Sequence, residues 1–192
     1  MRDKIRERLL ENIRIKERLM RDCIGQIIEV VDCLTSCLKR RGKVIFFGNG
    51  GSASDSIHLA AEFVGRFQKE RDPLPAIALT SNTSILTALA NDYGYETVFA
   101  RQVQAIANKD DVIIGISTSG RARNVTAGIK KAKQMGLFTV VFTGEKGIDL
   151  AKLANTALIV PSSVTARIQE AHITIGHIIC ELVEEILFND QG

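Results

Sequence analysis

The sequence predicts an α/β fold: a doubly wound, five-stranded parallel sheet of the flavodoxin-like kind, flanked by helices and preceded by a long N-terminal helix. Three observations carry this. The runs Val44–Phe47, Ala76–Leu79, Val112–Ile116, Thr139–Phe142 and Ala157–Val160 are apolar throughout instead of alternating, the mark of strands buried on both faces. Helical segments separate them, which implies right-handed crossovers and a parallel order. A sustained helical spacing of apolar residues precedes the first run.

That first element is written by Ile5, Leu9, Ile13, Met20, Ile24, Ile27, Val31, Leu34 and Leu38, with one polar step at Lys16. The spacing predicts a helix from about residue 3 to Arg40, ended by Gly42. Its other faces mix Arg and Lys with Glu and Asp, as on a solvated surface. A seam on such a helix needs a cover, and a second subunit supplies one. Residues 1–41 are therefore expected in the interface of a homo-oligomer. Further helices are expected near Ser54–Phe67, Ser84–Leu89, Thr97–Ala107, Asn124–Met135 and Ile148–Leu153, and a last one from about Thr165 to Leu187. No linker, repeat or low-complexity stretch divides residues 1–192, so one domain is expected, long enough to bury a real core.

Composition narrows the partners. Apolar residues make up 45% and charged ones 24%, ordinary for a soluble globular chain. A net charge of +3 is too small to argue for nucleic acid, and with no Trp and two Tyr there is no stacking surface for single strands. No apolar run is long enough for a membrane span, and the charged N-terminus is unlike a signal peptide. Cys23, Cys33, Cys37 and Cys180 form no C-x-x-C pair and suggest a reduced, cytoplasmic protein.

Two turns carry the chemistry of binding. Asn49-Gly50-Gly51-Ser52 follows the first strand and Ser117-Thr118-Ser119-Gly120 follows the third. In an open parallel sheet, ligands sit beyond the C-terminal strand ends. Paired glycines let backbone approach an anion, and the next helix offers free N–H groups and a positive dipole end. Serine also caps helices routinely, so either turn alone says little; two such turns at the ends of two strands point to a phosphate and its hydroxyls. Neither G-x-G-x-x-G nor G-x-x-x-x-G-K-[ST] occurs, which disfavours a dinucleotide or ATP.

A second set of residues points to proton transfer or metal binding. His58 and Glu62 share a helix face at i and i+4, and Gln169 and His177 share a broad face of the last helix. Two imidazoles, a carboxylate and an amide oxygen can complete a tetrahedral zinc site, although glutamine is a less usual ligand. They can equally be ordinary hydrogen-bonded side chains, since nothing in the spacing makes the two helices meet. His172 is read as an ordinary hydrogen-bonded histidine, and the cysteines as poor ligands.

At these residues the chain resembles the sugar isomerase (SIS) domain family, and within it the phosphoheptose isomerases. The resemblance covers nearly the whole chain. It runs through Gly48–Asp55, His58 to Gly65-Arg66, Asn91-Asp92-Tyr93-Gly94, Gly115–Gly120 and Ala166-Arg167-Ile168-Gln169-Glu170, with His177 at the family's interval beyond. It implies conversion of D-sedoheptulose 7-phosphate to D-glycero-D-manno-heptose 7-phosphate through an enediol, the first step toward heptose in bacterial surface polysaccharide. It also implies a cytoplasmic homotetramer with active sites between subunits and one zinc per subunit. By motif match, His58, Glu62, Gln169 and His177 hold the zinc. Glu62 is the base and His177 the acid; Asn49, Gly50, Gly51, Asn91 and Asp92 face the sugar. Ser52, Ser117, Thr118 and Ser119 surround the phosphate.

One departure stands out: Ala122 occupies a position where the family usually has serine. A lost neutral hydrogen bond is worth about 0.5–1.5 kcal/mol, so a weaker phosphate grip is expected rather than a lost function. Two other readings follow from the same family. One is a non-catalytic sugar-phosphate-binding or replication-initiator-associated protein; the other is an isomerase of hexulose or pentose phosphates. Retention of His58, Glu62, Gln169 and His177 together argues against the non-catalytic reading, and substrate tests separate the heptose isomerase from the other isomerases.

Overall fold

The five apolar runs form β1 (Val44–Gly48), β2 (Ala76–Ala78), β3 (Val112–Ser117), β4 (Phe138–Gly144) and β5 (Thr156–Val160). They make one parallel sheet in the order β2-β1-β3-β4-β5. The computed structural model describes residues 1–188. The central strands β1, β3 and β4 are buried almost end to end, whereas the edges β2 and β5 are partly exposed.

Successive side chains point to opposite faces, so each strand feeds two cores. Val44, Phe46, Ile114, Ile116 and Phe142 pack under α1 (Arg2–Asp22), α2 (Ile24–Lys39), α3 (Gly51–Val64) and α8 (Thr165–Phe188). Ile45, Phe47, Ile113 and Val141 pack under α4 (Thr83–Tyr93), α5 (Val98–Ile106), α6 (Arg123–Gln134) and α7 (Ile148–Ala151). Each large apolar side chain so buried contributes about 1.5–3 kcal/mol. The second core also stacks Phe47 on Phe99 at a centroid distance of 4.9 Å.

The N-terminal helix is present but broken once. Cys23 leaves helical geometry (φ −124°, ψ −2°), and its thiol reaches the carbonyl of Ile159 on edge strand β5. Ile24 and Gly25 follow, both weak helix formers. The apolar spacing continues across the break, which is why periodicity alone reads one helix. Beyond α1's buried Ile15 and Leu19, Ile5, Leu9 and Ile13 stay half exposed or more. Met20, Ile24, Ile28, Ile178 and Leu182 line an apolar groove of about 420 Å³ between α1, α2 and α8.

One consequence of the strand order positions the site. The chain leaves β1 through α3 on one face and β3 through α6 on the other, so the turns after these neighbouring strands splay apart. Gly48 pairs with Ile116, which brings both turns to one crevice at the switch point.

Candidate active site

At the first turn Gly50 has φ +55°, a conformation L side chains rarely adopt, and α3 starts at Gly51 with no side-chain cap. The second turn leaves β3 at the buried Ser117. Thr143 Oγ1 donates to the Ser117 carbonyl at 2.7 Å, and the Gly144 N–H donates to the Thr118 carbonyl at 3.0 Å. α6 then starts after Ala122, also without a side-chain cap. Two uncapped helix starts thus open at the crevice, where backbone N–H groups and the hydroxyls of Ser52, Thr118 and Ser119 suit an anion.

The turns are braced against each other through Asn49 by two residues that no motif singles out, Asn124 and Tyr95. Asn49 and Asn124 exchange side-chain hydrogen bonds of 2.9 and 2.8 Å, and the Tyr95 hydroxyl donates to Asn49 Oδ1 at 2.9 Å. Asn124 is buried, a partial signal in hindsight, because a buried amide demands partners. Asn91 and Asp92 lie exposed at the end of α4, joined by a 2.8 Å bond from Asn91 Nδ2 to Asp92 Oδ1.

The two helices left unconnected by spacing do meet. α3 and α8 run side by side in parallel: a Cβ on Gly51 would strike the Gln169 amide, and one on Gly176 would lie 2.6 Å from Leu59. Gly176 therefore sets the close approach. It brings His58 Nε2 to 2.8 Å from His177 Nε2 and 3.3 Å from Glu62 Oε1. Gln169 is not in this cluster: it sits two turns earlier on α8, about 12 Å along the axis.

His58, Glu62 and His177 offer ligand atoms that all lie within 4.8 Å of one another. Two imidazole nitrogens and a carboxylate with an open position match the donor chemistry of a catalytic transition-metal site. Asp55, one turn before His58, has a buried Oδ2 with no hydrogen-bond partner. Burial pushes its pKa up to about 6, opposed by the charge of His58. An open carboxylate beside a ligand histidine is the usual outer partner of such a site.

The other candidates behave as core. His172 is fully buried, bonded to the Thr143 carbonyl at 3.3 Å, and burial lowers its pKa to about 4. All four cysteines are free, and burial, with Glu62 adding, pushes the Cys180 thiol up to about 12. Such thiols are poor ligands and nucleophiles. No helix among the described residues is long and apolar enough to cross a membrane.

Comparison with known proteins bears on this arrangement. The SIS domain family matches residues 10–144. A phosphoheptose isomerase of Aquifex aeolicus is 52% identical over 97% of this chain and 98% of its own. The solved phosphoheptose isomerase of Neisseria gonorrhoeae superposes with a TM-score of 0.90 at 36% identity, covering 96% of this chain and 98% of that one. That of Francisella tularensis gives 0.91 at 34%, covering 95% and 97%.

Proposed function

The chain belongs to the SIS domain family and, within it, to the phosphoheptose isomerases, and from that premise we propose that it interconverts D-sedoheptulose 7-phosphate and D-glycero-D-manno-heptose 7-phosphate. The observation that carries this is the convergence of Glu62, His58 and His177 from two helices at 2.8 and 3.3 Å. An aldose–ketose isomerisation needs a carboxylate that moves a proton between C1 and C2 and an acid that serves both oxygens.

Glu62 takes a proton from C1 of the ketose, and the freed electron pair forms the C1=C2 bond of an enediol. His177 gives a proton to O2. In the second half His177 takes the proton of the O1 hydroxyl while Glu62 returns one to C2, leaving the aldehyde at C1. The phosphate lies against Ser52, Ser117, Thr118 and Ser119, and the sugar hydroxyls meet Asn49, Gly50, Gly51, Asn91 and Asp92. His58, Glu62 and His177, with Gln169 as the fourth ligand, would hold a zinc ion, which would supply positive charge to stabilise an enediolate.

Gln169 lies two turns from the cluster in its own chain, so its share comes from a second copy. The exposed seam of Ile5, Leu9 and Ile13 and the groove at Met20 and Ile178 support a homo-oligomer, read here as a tetramer. Free cysteines match a reducing cytoplasm. Its product supplies heptose for lipopolysaccharide or capsule. The test is isomerisation of sedoheptulose 7-phosphate by purified protein, before and after chelation and zinc readdition. Turnover that falls with chelator and returns with zinc is expected; binding without turnover of any sugar phosphate would overturn the reading.

A further inference from the structure

Below the cluster the chain passes from α3 to β2 through residues 65–75, and two charged side chains fasten this strap. The side chains of Arg71 and Glu184 are each 2% exposed and meet at 2.7 Å between Nε and Oε2. Glu184, on α8, also accepts the backbone N–H groups of Phe67 at 2.9 Å and of Gln68 and Lys69 at 2.7 Å. Burial pushes its carboxyl up, but these three N–H groups and Arg71 outweigh it and hold it below the usual range. Arg71 turns its other nitrogens to the end of α3, donating to the carbonyls of Glu62 and Phe63 at 2.9 and 3.0 Å. Those carbonyls lack partners within the helix, and a cation there meets the negative end of its dipole.

The strap touches the proton-transfer groups from both sides. Arg71 bonds the backbone of Glu62 itself, and the ring of Phe67 lies 5.5 Å from that of His177. Glu184 joins these contacts to α8, the helix that bears His177. We propose that Arg71 and Glu184 form a positioning pair that sets Glu62 against His177 for proton transfer, an inference that rests on the isomerase reading with Glu62 as base. A buried pair of this kind need add little net stability over apolar replacements. What it adds here is geometry: six hydrogen bonds converge on the last turn of α3 and the strap. A displacement of about 1 Å at a reacting group can cost about 10²-fold in rate. The phosphate turns lie at the far end of α3 and do not depend on the strap.

The test compares wild type with Glu184→Gln, which keeps the shape but weakens the pair, and with Phe67→Leu, which leaves it intact and removes the ring beside His177. Rates are taken per folded protein, with the folded fraction read by circular dichroism. Both variants are expected to lose at least about tenfold in kcat, with KM for sedoheptulose 7-phosphate within about twofold. The isotope effect from deuterium at C1 is expected to rise, because proton transfer becomes more rate-limiting. The imidazole signals of His58 and His177 should shift in NMR spectra while those of His172 stay. A kcat within twofold of wild type, a loss carried by KM, or a loss that vanishes on correction for unfolded protein would overturn the inference. Absence of turnover by wild type would instead overturn the isomerase reading, and this inference with it.

Discussion

The two ends of the α3–α8 pair are built on different principles. At the switch point the turns proposed to bind phosphate consist of backbone and short hydroxyl side chains, held by strand register and by the Asn49–Asn124 pair. Two to three turns further along, the proton-transfer cluster consists of long side chains from two helices, held by Gly176 and by the Arg71–Glu184 pair. At the first end each turn is local in sequence and largely neutral; the second end joins positions more than a hundred residues apart and is charged. An anion needs only N–H groups and helix ends in the right place, so a short segment suffices. A proton transfer needs opposed functional groups at hydrogen-bond distance, and no single helix provides that here.

The largest expected effect separates the two ends outright. Glu62→Gln should lower kcat by about 10³-fold, within the range for loss of a general base, while sugar-phosphate binding and folding persist. Equilibrium binding and circular dichroism check the second half of that statement. Gln169→Ala should also be nearly inactive. If Gln169 acts on the cluster of another copy, mixed oligomers of the two variants regain a measurable fraction of activity. Failure of mixed oligomers to recover would confine each site to one chain.

A middle-sized effect concerns the bond that ties the ends together. His172 on α8 meets the Thr143 carbonyl, and Thr143 in turn holds Ser117 of the second turn. Burial lowers its pKa from 6.5 to about 4. Between those values the unfolded chain takes up a proton that the folded chain refuses. Its contribution is therefore complete above about pH 6.5 and lost as pH falls toward 4, by about 3 kcal/mol. Urea unfolding of wild type and His172→Gln at pH 7 and 4.5 checks this. The wild type should lose more stability on acidification than the variant; equal losses would detach His172 from the effect.

The smallest effect belongs to the binding end. Ala122 is the N-cap of α6, in extended geometry and without a capping hydroxyl. Ala122→Ser should add about 1 kcal/mol of stability through the cap. It should also lower KM up to about tenfold if the hydroxyl reaches phosphate, a bond worth about 0.5–1.5 kcal/mol. A rise in melting temperature with unchanged KM would keep the cap and remove the phosphate contact.

Sequence legibility follows the same division. The strands were readable because Val44–Phe47 and Val112–Ile116 are apolar without alternation, and burial on both faces leaves no other pattern. The turns were readable because glycine and serine at a strand end act within a few residues. His58 and Glu62 were readable as a helix-face pair, and the break at Cys23 was not, since apolar spacing runs through it. Asn124, Tyr95, Phe67, Arg71 and Glu184 gave no motif: each matters through a partner distant in sequence or through the course of a loop.

By itself, then, the sequence determined the α/β class, the five strands, the two glycine- and serine-rich turns at strand ends and the candidate proton-transfer residues, because each follows from periodicity or short-range chemistry. Only the tertiary structure decided that α3 and α8 lie in parallel, that Gly176 lets Leu59 and His58 close on α8, and that Gln169 faces Gly51 while His177 faces His58. The reason is physical: helix packing is set by where small residues permit approach across the interface, and that complementarity exists only once both helices are seated on the same sheet face.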